Sequence, residues 1–126
     1  MQDIMPPLGA AAQLVQSYGA DGFRIGNQFY ETNVLVLPEA TVAWSGEWSL
    51  DAFAAILNAT PLPEVLLIGT GPKHIMIPPT FRAALKAREI GFDTMDTGAA
   101  CRTFNVLLGE SRRVAAAFLL PVVTSS

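Results

Sequence analysis

Two short apolar runs without polar alternation constrain the fold more than any other feature of the sequence. They are Val34-Leu35-Val36-Leu37 and Val65-Leu66-Leu67-Ile68. A strand with one face in water alternates polar and apolar residues, whereas a strand covered on both faces does not. Each run is therefore predicted to be an inner strand of a sheet that has layers packed on both of its faces.

Helical signals separate the strands in the second half of the chain. Ser49 is predicted to be the N-cap of a first helix, because the apolar residues that follow it recur at helical spacing, and Trp48 and Phe53 are placed for a hydrophobic staple. Gly91 is the expected stop of a second helix, and Thr97 the expected N-cap of a third. The three predicted helices span residues 49–58, 79–90 and 97–108.

The other predicted strands place a β-rich segment at the start of the chain. A hairpin is expected around Gly26-Asn27, a pair suited to a tight turn. The strand, helix, strand order from Val65 onward implies a right-handed crossover between parallel strands. We therefore predict one α/β domain over residues 1–126, with a mixed sheet, helices on both faces, an N-terminal β-hairpin region and an extended arm at residues 1–12. The remaining predicted strands are 13–18, 22–25, 28–31, 41–44, 92–95 and 113–120.

Composition excludes several classes of function. The 126 residues carry eight Lys and Arg against eleven Asp and Glu, and a net charge of −3 disfavours binding to nucleic acid. One Cys and one His provide neither an internal disulfide nor a structural zinc site. No metal and no cofactor are expected.

Membrane insertion is not expected either. The longest apolar stretch, residues 114–123, is interrupted by Pro121 and is too short for a bilayer. The first basic residue is Arg24, so no leader peptide is predicted and the expected location is cytoplasmic, with contact to a membrane only through partners. Because 51% of residues are hydrophobic and 15% are charged, we expect an exposed apolar patch for protein contact or self-association, at residues 4–8 or 120–123.

Gly69-Thr70-Gly71 follows the second apolar run and has two interpretations. Glycines at the end of a strand let a backbone approach a ligand, but the third glycine of a dinucleotide fingerprint and the lysine of a phosphate loop are both missing. A structural turn is the other interpretation. If the strands at Val65 and Phe92 are parallel, Thr70 and Asp96-Thr97 reach the same sheet edge, where open α/β sheets bind ligands. This predicts a crevice that Cys101 and Arg102 also border. Arg102 binds an anion there, caps carbonyls, or forms an ion pair with Asp96 or Glu110.

Cys101 also has two interpretations. The positive end of a helix dipole and the neighbouring Arg102 would favour a reactive thiolate. Alternatively, Cys101 shares a helical face with Phe104 and Leu108 and is a small packing residue. His74 is the single histidine and is predicted to lie in a surface loop, so no Cys-His pair is evident.

Three stretches carry a family resemblance over essentially the whole chain: residues 66–71, 95–107 and 110–116. Together they resemble the mitochondrial complex I assembly factor 3 family. The resemblance implies a compact α/β fold and a role in building respiratory NADH:ubiquinone oxidoreductase, and it transfers no catalytic residue. The matching positions are Gly69, Thr70, Gly71, Asp96, Thr97, Ala100, Cys101, Arg102, Thr103, Asn105 and Arg113.

Two functions of different classes follow from the residues and the resemblance. The first is a non-enzymatic assembly or interaction protein whose partners are respiratory-complex subunits or other assembly factors. The second is a small-molecule binder or enzyme that uses the crevice near Thr70, Asp96 and Arg102. The absence of a carboxylate dyad, a catalytic triad or a phosphate loop in the sequence favours the first.

Overall fold

The computed structural model describes residues 13–121, which form eight strands and three helices. The predicted arm at residues 1–12, and residues 122–123 of the predicted apolar patch at 120–123, lie outside this range. In chain order the elements are β1 (Val15–Gly19), β2 (Gly22–Ile25), β3 (Gln28–Tyr30), β4 (Val34–Val36), β5 (Thr41–Ala43), α1 (Ala54–Leu57), β6 (Val65–Gly69), α2 (Pro79–Ala87), β7 (Phe92–Met95), α3 (Thr97–Gly109) and β8 (Val114–Phe118).

A five-stranded mixed sheet organises the molecule, with strand order β5-β4-β8-β6-β7. Leu66 on β6 is aligned with Phe92 on one side and with Ala115 on the other, both in parallel registers. On the far side of β8, β4 is antiparallel, and β5 pairs antiparallel with β4. The predicted crossover from β6 through α2 to a parallel β7 is therefore confirmed.

The first three strands form a separate antiparallel sheet of order β1-β2-β3. Gly26 and Asn27 both have positive φ, 57° and 70°, as the predicted hairpin turn requires. Of the β-rich first third, β4 and β5 join the main sheet, whereas β1 to β3 pair only with one another. Phe23 on β2 nevertheless packs on Phe118 of β8, with ring centroids 5.7 Å apart, so the small sheet covers one face of the large one.

Both faces of the main sheet are covered, as predicted, and each has its own buried cluster. On β8 the side chains divide between them, with Ala116 in one cluster and Ala115 and Ala117 in the other. The first cluster joins β1 and β2 to α3 through Val15, Phe23, Ile25, Ala100, Cys101, Phe104 and Leu108. The second receives α1 and α2 through Ile56, Phe81 and Leu85, together with Trp44 and Phe53. The described residues thus form a single α/β domain.

The first helix is shorter than predicted. Ser49 does accept a hydrogen bond from Ala52 N–H at 3.1 Å, but α1 begins only at Ala54. Between them the N–H of Ala54 bonds to the carbonyl of Asp51, three residues back, which is turn geometry rather than α-helical geometry. The expected contact of Trp48 with Phe53 is present, with ring centroids 6.3 Å apart.

The ends of the other two helices also differ from the predictions. Helix α2 ends at Ala87 because Glu89, and not Gly91, adopts the left-handed conformation, with φ 59°. The N–H of Ile90 then bonds to the carbonyl of Leu85 at 3.2 Å and closes the helix end. For α3, the N-cap is Asp96 and Thr97 is the first helical residue.

Candidate functional site

Two segments that are far apart in the sequence, Gly69-Thr70-Gly71 and Asp96-Thr97, meet at the carboxyl ends of β6 and β7. Thr70 N–H donates to the carbonyl of Met95 at 2.8 Å, and Thr97 N–H donates to the carbonyl of Gly71 at 2.8 Å. Because parallel strands end at the same sheet edge, the segments after them become neighbours although the sequence separates them. The expectation that Thr70 and Asp96-Thr97 lie together is confirmed.

Thr97 joins three segments through one fully buried hydroxyl. Its Oγ1 accepts a hydrogen bond from Gly71 N–H at 2.8 Å and donates to the carbonyl of Leu119 at 2.7 Å. Gly69 lies so close that a Cβ there would be 2.9 Å from both Cα and Oγ1 of Thr97. The N–H groups of Thr70 and Gly71 are thus both bonded within the protein, and the glycine at position 69 is required by close packing.

The Thr70 hydroxyl is also bonded within the protein. The residue is 3% exposed, and its Oγ1 donates to the carbonyl of Lys73 at 2.8 Å and accepts from Ile75 N–H at 3.1 Å. It therefore fixes the course of the loop between β6 and α2. This geometry gives the Gly69-Thr70-Gly71 motif a structural role in shaping the loop, and the assignment of its residues to a ligand crevice stays a prediction.

Asp96 begins α3. Its carboxylate accepts a hydrogen bond from Ala99 N–H at 2.9 Å, which satisfies one of the free N–H groups of the first turn. The predicted N-cap at Thr97 was wrong. Asp and Thr can both cap a helix. Only the folded structure shows that the Thr97 hydroxyl bonds instead to Gly71 and Leu119.

Cys101 points into the core from the second turn of α3. Its side chain is 1% exposed, and burial raises the pKa of the thiol to about 12, an effect that outweighs the opposing influence of Arg102. At neutral pH the group is a thiol, which is a poor nucleophile. The geometry agrees with the packing interpretation of this residue.

Arg102 is oriented away from the core. Its Nη1 donates to the phenol oxygen of Tyr18 on β1 at 2.7 Å, a contact that links α3 to the small sheet. The two ion pairs among residues 13–121 join Arg112 to Glu64 and Arg113 to Glu39, so Arg102 has no carboxylate partner in that range. Its predicted role in binding an anion stays a prediction.

The other motif positions also make contacts within the protein. The side chain of Asn105 bonds to the backbone of Val15, and the hydroxyl of Thr103 lies 3.6 Å from the sulfur of Met95. Nowhere in the described part of the chain do three His, Cys, Asp or Glu side chains gather in a way that suits a metal ion. Within residues 13–121, no helix combines the length and the apolar character that crossing a bilayer requires.

The sequence did not predict the apolar surface at this edge. The loop shaped by Thr70 exposes two successive apolar side chains, Ile75 at 49% and Met76 at 74%. His74 lies beside them on the surface, as predicted, with Nε2 2.8 Å from the hydroxyl of Thr94 on β7. In the sequence, residues 75–77 are a continuous apolar run followed by two prolines, and the run has no period from which exposure could be inferred.

Comparison with known proteins identifies the family. Residues 15–119 match the family described as "Protein of unknown function (DUF498/DUF598)". The chain belongs to this family. An uncharacterised protein of Rhodobacter capsulatus is 34% identical over 110 residues, which are 87% of this chain and 86% of that protein.

The resemblance to the complex I assembly factor 3 family is confirmed. NADH dehydrogenase (ubiquinone) 1 alpha subcomplex assembly factor 3 of Danio rerio is 32% identical over 122 residues, which cover 94% of this chain and 70% of that protein. The fold is shared with a protein of known structure. A Mth938-like domain from Bordetella pertussis superimposes with a TM-score of 0.77 at 26% identity, over 96% of this chain and 93% of that one.

Proposed function

We propose that this protein assists the assembly of a membrane-bound respiratory complex by binding its subunits or other assembly factors, and that it catalyses no reaction of its own. The observation that carries the proposal is the similarity to a protein named as an assembly factor, which extends over 94% of this chain. The location that suits this role is the cytoplasm, with access to the membrane through the partners.

The contacts within the motif support a non-enzymatic role. The hydroxyls of Thr70 and Thr97 are both bonded to backbone groups, and burial keeps Cys101 protonated at neutral pH. A catalytic site needs a nucleophile, a base or a stabilising donor that faces the substrate. The hydroxyls and thiol of the motif are instead used for packing and for holding loops.

The test is deletion of the gene in cells that naturally carry it. Membranes are solubilised in mild detergent, and the amount of assembled NADH:ubiquinone oxidoreductase is measured on native gels together with NADH oxidation. We expect less assembled complex in the deletion strain and recovery with the wild-type gene. An unchanged amount of assembled complex in the deletion strain would contradict the proposal.

A Cys101→Val variant is the matched control for an enzymatic role. Valine fills a similar volume without a thiol, so this variant should restore assembly as the wild-type gene does.

A separate measurement tests the crevice hypothesis. A small molecule that raises the melting temperature of the wild type but not of Arg102→Ala would favour a ligand-binding function at Thr70, Asp96 and Arg102.

A further inference from the structure

The positive charge of this acidic protein is concentrated in one segment. Residues 65–88 contain four of the eight Lys and Arg and none of the eleven Asp and Glu, so they carry +4 while the rest of the chain carries −7. The four cations lie in the loop after β6 and in or just beyond α2. They are Lys73, Arg82, Lys86 and Arg88.

These cations are available to a partner. Lys73, Lys86 and Arg88 are exposed and Arg82 is half-buried. The ion pairs formed among residues 13–121 use other arginines, at positions 112 and 113. Arg82 and Lys86 are four residues apart on α2 and therefore share a face, which adjoins the face of the buried Phe81 and Leu85. The segment thus presents four cations that form no ion pair among residues 13–121.

Ile75 and Met76 add apolar area to the same segment, and the loop that carries them is held in place. Thr70 bonds to both Lys73 and Ile75, and His74 contacts Thr94. A loop already fixed in one conformation loses less entropy when it binds. Methionine and arginine are both enriched at protein interfaces.

We propose that Lys73, Ile75, Met76, Arg82, Lys86 and Arg88 form a docking surface, called here the basic surface, for an acidic segment of a partner protein that also carries apolar side chains. This inference rests on the proposed function, in that the partner is a protein. Complementary charge would set the orientation and speed of association, and Ile75 and Met76 would supply the desolvated contact.

A lipid surface fits less well. Helices that lie on membranes insert a continuous apolar face, and the apolar side chains Phe81 and Leu85 of α2 are buried in the protein core. That leaves Ile75 and Met76 as the apolar side chains of the basic surface, too few for stable insertion. Four cations also neutralise few phosphates, which disfavours a nucleic acid on a chain of net charge −3.

The first experiment maps the partner by cross-linking from the full chain in its own cells. A photoreactive benzoylphenylalanine replaces Met76, and a matched probe replaces Val106, which is 58% exposed on α3. We expect the probe at position 76 to label a protein segment that contains Asp or Glu next to apolar residues, and the probe at position 106 not to label it. Adducts with lipid, nucleic acid or a second copy of this chain, or no adduct at position 76, would overturn the proposal.

The second experiment measures charge dependence with the labelled segment as a synthetic peptide. We expect Lys73→Glu/Lys86→Glu to bind it about tenfold more weakly than the wild type. Arg24→Glu, a charge reversal on β2 outside the basic surface, should bind within about twofold of the wild type. Equal affinity for wild type and the double variant, with unchanged circular dichroism, would overturn the proposal.

The two proposals fail separately. Loss of the assembled complex on gene deletion, combined with no protein adduct at position 76, would overturn the basic surface and leave the assembly function standing. An unaffected complex, combined with a mapped acidic segment and charge-dependent binding, would support the basic surface and contradict the assembly function.

Discussion

The side chain of Asn105 pairs with both backbone groups of Val15, ninety residues earlier in the chain. Oδ1 accepts from Val15 N–H at 2.9 Å, and Nδ2 donates to the Val15 carbonyl at 2.8 Å. A side-chain amide can accept from a backbone N–H and donate to a backbone carbonyl at the same time, as the backbone of a neighbouring strand does. Asn105 on α3 therefore covers part of the open edge of β1 and ties the small sheet to the helix.

Asn105→Ala should lower the free energy of unfolding by about 1–3 kcal/mol, because it leaves two backbone groups of a buried residue without partners. Urea denaturation measures this loss. Asn105→Asp retains the acceptor and places a carboxylate oxygen against the Val15 carbonyl. Relative to the wild type, this variant should recover stability below about pH 4, where the carboxyl gains a proton and can donate. No recovery in acid would show that the Val15 carbonyl does not need this donor.

We expect two substitutions of Thr97 to differ in their effect on stability. Thr97→Val keeps the shape but removes the hydroxyl, so Gly71 N–H and the Leu119 carbonyl both lose their partner, at a cost of about 2 kcal/mol or more. Thr97→Ser keeps both bonds and should cost less, since only a methyl group is lost. Chemical denaturation of the two variants side by side is the measurement. A serine variant as unstable as the valine variant would show that losing the methyl group costs as much as losing the hydroxyl.

Two glycines that differ in their surroundings give a second contrast. A Cβ at Gly69 would lie 2.9 Å from backbone and side-chain atoms of Thr97 and 3.2 Å from Cδ1 of Phe118. Gly69→Ala should therefore destabilise the protein by about 1–3 kcal/mol. Gly109 ends α3 with nothing within 4 Å of its would-be Cβ, so Gly109→Ala should be neutral or stabilising. Melting temperatures that fall equally in both variants would contradict the close packing at Gly69.

We expect the buried thiol of Cys101 to make the free energy of unfolding fall in alkali. Burial raises the pKa of its thiol from the ordinary 9.0 to about 12 in the folded protein. Between these values the unfolded chain releases the proton and the folded chain keeps it, so the free energy of unfolding should fall by about 1.4 kcal/mol per pH unit. The full contribution is present below pH 9 and is lost as the pH rises toward 12. Urea denaturation of the wild type and of Cys101→Val at pH 8, 9 and 10 measures it, and parallel pH profiles would contradict the assignment.

The sequence predicts the elements better than their ends and their long-range contacts. The crossover from β6 to β7 and the hairpin at Gly26-Asn27 rest on apolar runs and on turn residues, which are local signals. The end of α2 at Ala87 could not be inferred, because the left-handed residue that follows it is Glu89 and not the usual glycine. The packing of the small sheet on the large one includes the contact of Phe23 with Phe118, which no local pattern encodes.

At the candidate site, too, the sequence predicted the location but not the side-chain contacts. Its location was predictable because parallel strands deliver Thr70 and Asp96 to one edge. The partners of its side chains were not, since the bond from Arg102 to Tyr18 spans 84 residues. The exposure of Ile75 and Met76 was missed for a similar reason. Ile77, in the same apolar run, is buried, and only the folded loop distinguishes it from the two residues before it.

The central position of β8 sets the order in which the molecule can be completed during synthesis. This strand holds β4 on one side and β6 on the other, and its alanines contribute to both clusters. Until Phe118 has emerged from the ribosome, the two halves of the sheet have nothing to join them, and each leaves apolar surface in water. A nascent chain of this protein therefore exposes apolar surface until β8 is available to join the two halves of the sheet.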